Sequence, residues 1–120
     1  MNPDKFKQRT QQLAIEIIKL VDELPPNAVG QAVGNQLVRA GTSVGANYRA
    51  ACRAKSTADM VNKLKIVEEE ADETLYWLEI LVQAGIVPAT RISLLYDEMN
   101  QILSMTIASI KTLRARKSQH

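Results

Sequence analysis

Cysteine, histidine and aromatic side chains are scarce in this 120-residue chain. One cysteine, Cys52, excludes an intramolecular disulfide framework and any site built on several thiolates. The one histidine is His120, which removes most zinc sites and nearly every Ser–His or Cys–His mechanism. Aromatics make up only 4% of the residues, so an aromatic-rich β-sandwich is disfavoured and packing through Ala, Leu, Ile and Val is favoured. No apolar run approaches the roughly 20 residues of a membrane span. The stretch from Leu13 to Val21 is broken by Glu16 and Lys19, so it is no signal-peptide core either. The expectation is a soluble, cytoplasmic protein without a membrane partner.

What the sequence does contain is helical periodicity. Its length suits one domain over residues 1–120, with a single sizeable core. A first helix is expected over 3–24, with Asn2 as cap, Pro3 in the first turn and Pro25-Pro26 as stop. Phe6, Thr10, Leu13, Ile17, Leu20 and Leu24 recur at alternating spacings of four and three, a bundle seam. A second helix over 27–54 carries Val33, Leu37, Ala40, Val44, Asn47 and Ala51. A third over 57–84 opens on Ser56, with Asp59 three residues on, and carries Met60, Leu64, Val67, Ala71, Thr74, Leu78 and Leu81. Gly85 and Pro88 punctuate its end. A fourth over 90–114 carries Ile92, Leu95, Met99, Ile102, Thr106, Ser109 and Leu113, and disorder is expected from Arg116 to His120. Short connections force neighbours antiparallel, so the fold class is all-α, an up-down-up-down antiparallel four-helix bundle about 35–40 Å long.

Two features exceed what a bare monomer needs. The second helix holds Gly30, Gly34, Gly41 and Gly45, each costing about 1 kcal/mol relative to Ala. Either they permit close backbone approach, or the helix starts later or kinks at Gly41. Apolar residues also outnumber the seams: Ile15, Ile18, Ile66, Tyr76, Trp77, Ile80, Leu94, Leu103, Ile107 and Ile110 all need cover. A homo-oligomer accounts for them, with Trp77 as the preferred interface anchor and a core position as its alternative.

The charges are the most informative feature. Antiparallel helices bring residues 1–12, 46–66 and 108–120 to one end. These segments hold twelve Lys and Arg against Asp4 and Asp59, an excess of ten positive charges. The remainder holds three cations against eleven acids, an excess of eight negative charges, so the net +2 hides a polar distribution. Such an end attracts nucleic-acid phosphates by counterion release. Arg49, Arg53, Lys55, Lys63, Lys65, Arg114, Arg116 and Lys117 are the expected RNA or DNA contacts. Base readout is not suggested, because only Phe6 and Tyr48 could stack there. An acidic or helical protein partner, docked by an adaptor, is the rival occupant; simple solvation of helix ends is the bland one.

Catalytic constellations are thin. The cluster Glu68, Glu69, Glu70, Asp72 and Glu73 lacks the histidines and the facing carboxylates of a di-iron bundle. Gly41-Thr42-Ser43-Val44-Gly45 lacks the Gly-Lys-Ser/Thr ending of a phosphate loop. The chain reads as a non-enzyme with no catalytic residues, no metal and no cofactor. Arg39, Ser43 and Asn47, four residues apart, read as a polar lock against the third helix. In that register Arg39 meets Asp72 or Glu73, Ser43 meets Glu68 or Glu69, and Asn47 meets Leu64.

The run from Gln36 to Tyr48, with Arg39-Ala40, Ser43 and Asn47 at fixed offsets, resembles the signature of the 23S rRNA-intervening-sequence proteins. Leu24-Pro25 and the stretch from Lys63-Leu64 through Glu73 are similar to that family as well. One departure is Arg49-Ala50-Ala51, where many members carry an acidic residue and a glycine soon after the asparagine. The resemblance implies a four-helix bundle, a homopentamer with a central channel, and no assigned catalysis. It also implies kinship with the accessory variability determinants of diversity-generating retroelements, which bind nucleic acid and a reverse transcriptase.

Overall fold

A computed structural model describes residues 2–118 of the chain, with side chains through Arg116. Four helices follow one another: α1 Pro3–Asp22, α2 Ala28–Cys52, α3 Thr57–Gln83 and α4 Ala89–Ser118. Three of the starts are held by side-chain caps that satisfy backbone donors the helix cannot. Asn2 Oδ1 accepts from the Lys5 amide at 3.2 Å, Asn27 Oδ1 from Gly30 at 2.9 Å, and Ser56 Oγ from Asp59 at 3.0 Å. Asp59 returns a bond to the Lys55 amide, one residue before the cap. α3 ends in a Schellman turn: Gly85 takes a φ of 71°, and Ile86 donates to Leu81 at 3.0 Å. α4 runs on to Ser118, so Arg116, Lys117 and Ser118 are helical rather than disordered; His120 lies outside the described residues.

Contacts between helices fix an antiparallel register. Gly34 lies against Val21, Gly41 against Ile17 and Gly45 against Thr10, so numbers rise on α2 as they fall on α1. Arg9 reaches Glu98 while Arg91 reaches Glu23, the same relation between α1 and α4. The result is an up-down-up-down bundle of 53 × 21 × 21 Å. α2 is unbroken through Gly41, and Gly34, Gly41 and Gly45 face α1. A Cβ on Gly45 would stand 3.2 Å from Thr10 Oγ1 and one on Gly34 2.9 Å from Val21 Cγ1. The glycines therefore let α1 and α2 pack close.

The seams form the core. Ile17, Leu37, Val44, Val67, Leu78, Leu81, Met99 and Ile102 are wholly buried. Thr10, Thr74 and Thr106 join them by donating their hydroxyls to carbonyls four residues back, at 3.0, 2.8 and 2.7 Å. The 4–3 pattern slips in two places: Tyr48 is buried beside half-exposed Asn47, and Ile110 beside half-buried Ser109. A straight helix drifts about 20° per heptad against a strict seven-residue repeat, which rotates the expected seam off the core after two heptads. Ile110 therefore needs no partner. Ile15, Ile18, Ile66, Tyr76 and Leu94 do stay exposed, as does Val29, and Leu94 is 84% accessible. Trp77, Ile80, Leu103 and Ile107 are half-buried.

Candidate nucleic-acid interface

The bundle gathers the starts of α1 and α3 and the ends of α2 and α4 at one pole. Local sequence builds this pole. Three of its four corner helices carry cations in or next to their terminal turns, and at the ends of α2 and α4 these complement the helix dipole. Arg49, Arg53, Lys55, Lys65, Arg114 and Arg116 are exposed, and Lys63 is half-buried. Lys117 is expected there too, but its side chain lies outside the described residues. Phe6 and Tyr48, the aromatics of this pole, pack on each other at a tilt of 47°, with ring centroids 4.2 Å apart, and are buried. Neither offers a face to a base. Burial pushes the Tyr48 phenol well above its ordinary value, helped by the neighbouring Cys52 and by the Asp4 charge.

The chain's arginines divide into two sets. Arg9 donates to Glu98 at 2.6 Å and to Gln101 at 2.9 Å; the Glu98 bond holds its guanidinium above the ordinary value. Arg91 is held by Glu23, and Arg39 by Glu70 and Glu73. These three pin one helix to another. Arg49 and Arg53 have no ion pair among the described residues. Both line a groove of about 440 Å³ between α1 and α2, together with Lys7, Gln11, Thr42 and Ala46. No carboxylate lines it. Sequence reasoning missed the groove and the part of Lys7 in it. The available signal was Gly45, Arg49 and Arg53, one turn apart on one face of α2.

The polar stripe on α2 divides as well. Arg39 crosses to α3, where Glu73 also accepts from Trp77 Nε1 at 3.2 Å. The hydrogen bonds of Ser43 and Asn47 do not cross to α3. Ser43 Oγ donates to the Arg39 carbonyl at 2.6 Å and Asn47 Nδ2 to the Ser43 carbonyl at 2.9 Å, both within α2. Short polar side chains in a helix find their own backbone first. Trp77 lies half-buried, edge-on to Tyr76 with centroids 5.0 Å apart. Among the described residues no group of three His, Cys, Asp or Glu side chains is placed to hold a metal. No described helix is long and apolar enough to cross a membrane.

Residues 4–108 match the model of one protein family, described as 23S rRNA-intervening sequence protein. The chain belongs to that family. No curated protein matches it. Among solved structures, this 23S rRNA-intervening sequence family member is similar to a crystal structure from Bacteroides thetaiotaomicron. That protein is described as one of unknown function from the S23 ribosomal protein family. The identity is 33%, the TM-score 0.85, and the match covers 92% of this chain and 99% of the other. Within the 23S rRNA-intervening sequence match fall Arg39, Ser43, Asn47 and the groove residues, while Arg114 and Arg116 lie beyond it.

Proposed function

We infer that the protein is a non-enzymatic, cytoplasmic bundle that assembles with its own copies, as a pentamer, and binds RNA or DNA without base readout through its basic pole. The observation that carries the reading is the division of the arginines. Arg9, Arg39 and Arg91 are neutralised by glutamates. At the pole Arg49 and Arg53 stand without carboxylates beside Lys7. A run of cations left unneutralised against mutual repulsion has an external polyanion as its natural counterion. The burial of Phe6 and Tyr48 against each other supports a backbone-directed mode. Exposed Ile15, Ile18, Ile66 and Leu94 support self-assembly. Cyclic assembly would repeat the pole on one face and turn weak phosphate contacts into avidity.

A salt titration with short RNA and DNA tests the reading. Binding should be clear at low salt, fall steeply as salt rises, and be lost in the Arg49→Ala/Arg53→Ala/Lys55→Ala variant. Absence of low-salt binding, or binding that ignores the triple substitution, removes it. The rival is an adaptor that docks an acidic or helical protein at the same pole. It expects a co-purifying protein and weak nucleic-acid binding that salt barely changes.

A further inference from the structure

We propose that the groove between α1 and α2 at the basic pole is a seat for the phosphodiester backbone of a single strand. The inference deepens the nucleic-acid reading above and rests on it. Three observations place the seat in this groove rather than over the whole pole. First, cations converge from both walls: Arg49 and Arg53 from α2, Lys7 from α1, with no carboxylate in the lining. Second, the groove has room because its walls are small. Ala14, Gly45 and Ala46 line it. Gly45 lies so close to Thr10 that α1 and α2 pack tightly beneath, leaving the long cations to rise on either side. Third, Gln11 is exposed on the α1 wall with an amide free to donate outward to an anion, while Thr42 spends its hydroxyl proton on the Val38 carbonyl, at 2.7 Å, and offers the groove no donor.

Spacing selects a strand over a lone anion. Arg49 and Arg53 sit one turn apart, a rise of about 6 Å along α2. That is comparable to the separation of successive phosphates along an extended strand. Two arginines can each fork onto one phosphate, with Lys7 closing from the other side as a point charge. Bases would point away from the groove, towards solvent, since no exposed aromatic at this pole is available to stack on them.

The test compares two charge-matched substitutions. Ala46 and Asn62 are both exposed near the basic pole, but only Ala46 lines the groove. Ala46→Glu and Asn62→Glu lower the net charge equally. Ala46→Glu should weaken a thymidine oligonucleotide at least about tenfold, and Asn62→Glu no more than about threefold. An abasic oligonucleotide of the same length should bind within about twofold of the parent strand, and the salt slope should fall by about 0.7 for each of Lys7→Ala, Arg49→Ala and Arg53→Ala. Equal effects of the two glutamates overturn the groove and leave the basic pole as the binder. A strong preference for the base-bearing strand overturns backbone readout. Inorganic phosphate or polyglutamate competing as well as the oligonucleotide overturns the strand in favour of a single anion or an acidic protein. No binding by the parent chain removes the broader reading and this one together. A helical circular-dichroism spectrum and unchanged melting certify the Ala46→Glu variant; if it fails them, Arg53→Gln against Lys111→Gln, an exposed cation outside the groove, repeats the comparison with the same expected order.

Discussion

Gly30 and Gly41 share a helix, yet alanine should act differently at each. A Cβ on Gly30 would overlap the Pro25 carbonyl, which is backbone in the turn between α1 and α2. A Cβ on Gly41 would meet a side chain and no backbone: Ile17, nearest at its Cδ1 tip, which is wholly buried and must shift within the core. Overpacking costs about 1–3 kcal/mol when the neighbour cannot yield. The gain in helix propensity from Gly to Ala is about 1 kcal/mol in a helix interior. Gly30→Ala should therefore lose about 2 kcal/mol, and Gly41→Ala should stay within about 1 kcal/mol of the parent, as read from urea midpoints. Tyr48 gives the second residue-scale prediction. Its phenol is raised in the fold, chiefly by burial, whereas in the unfolded chain it titrates near its ordinary value of about 10. The unfolded chain thus loses this proton first. Stability from Tyr48 is complete below pH about 10 and falls as pH rises above it, because ionisation favours the open chain. Tyr48→Phe should flatten that alkaline loss in melting curves recorded against pH.

At the scale of elements, the four seams were written in the sequence, because alternating spacings of four and three have no strand equivalent. Asn2, Asn27 and Ser56 marked starts for the same reason that they cap them: each has a short acceptor side chain. The seam ends were less legible. A fixed heptad pattern points to Ser109 and Asn47, whereas helix drift brings Ile110 and Tyr48 inward. Ile110→Ala should accordingly cost about 2–4 kcal/mol as a buried large-to-small change. Its exposed neighbour offers the control: Lys111→Ala should move stability by no more than about 0.5 kcal/mol. Chemical denaturation of both variants checks the contrast. The cross-helix bond of Arg39 could be anticipated from the α2–α3 hairpin, because a long side chain spans the gap to Glu73. The bonds of Ser43 and Asn47 turn instead to the carbonyls four residues back in α2, within reach of a short side chain. Arg49 and Arg53 were visible as a pair on one face. The convergence of Lys7 with them depends on the α1–α2 register, which Gly45 and Thr10 set by contact and which no spacing within one helix encodes.

The whole molecule is a rod with one basic pole, 53 Å long and 21 Å across. Its charge distribution predicts how copies respond to salt. If copies line up side by side with the same pole up, as in a closed ring, like-charged poles stand about one rod-width apart. If they pair head to tail, each basic pole lies beside an acidic flank. The screening length is about 30 Å at 0.01 M salt and about 10 Å at 0.1 M. Over that range, repulsion between parallel poles 21 Å apart changes from felt to screened. Apolar contacts through Ile15, Ile18 and Leu94 persist throughout, since salt does not weaken them. A ring should therefore gain mass as salt rises from 0.01 M to about 0.1 M, whereas an antiparallel pair should lose it. A polyanion seated on the basic poles neutralises the same repulsion, so an oligonucleotide added at low salt should restore the high-salt mass by linkage. Light scattering across the salt series, with and without oligonucleotide, reads both effects. Falling mass with salt would mean the copies run antiparallel, which separates the basic poles and deprives the nucleic-acid reading of its avidity.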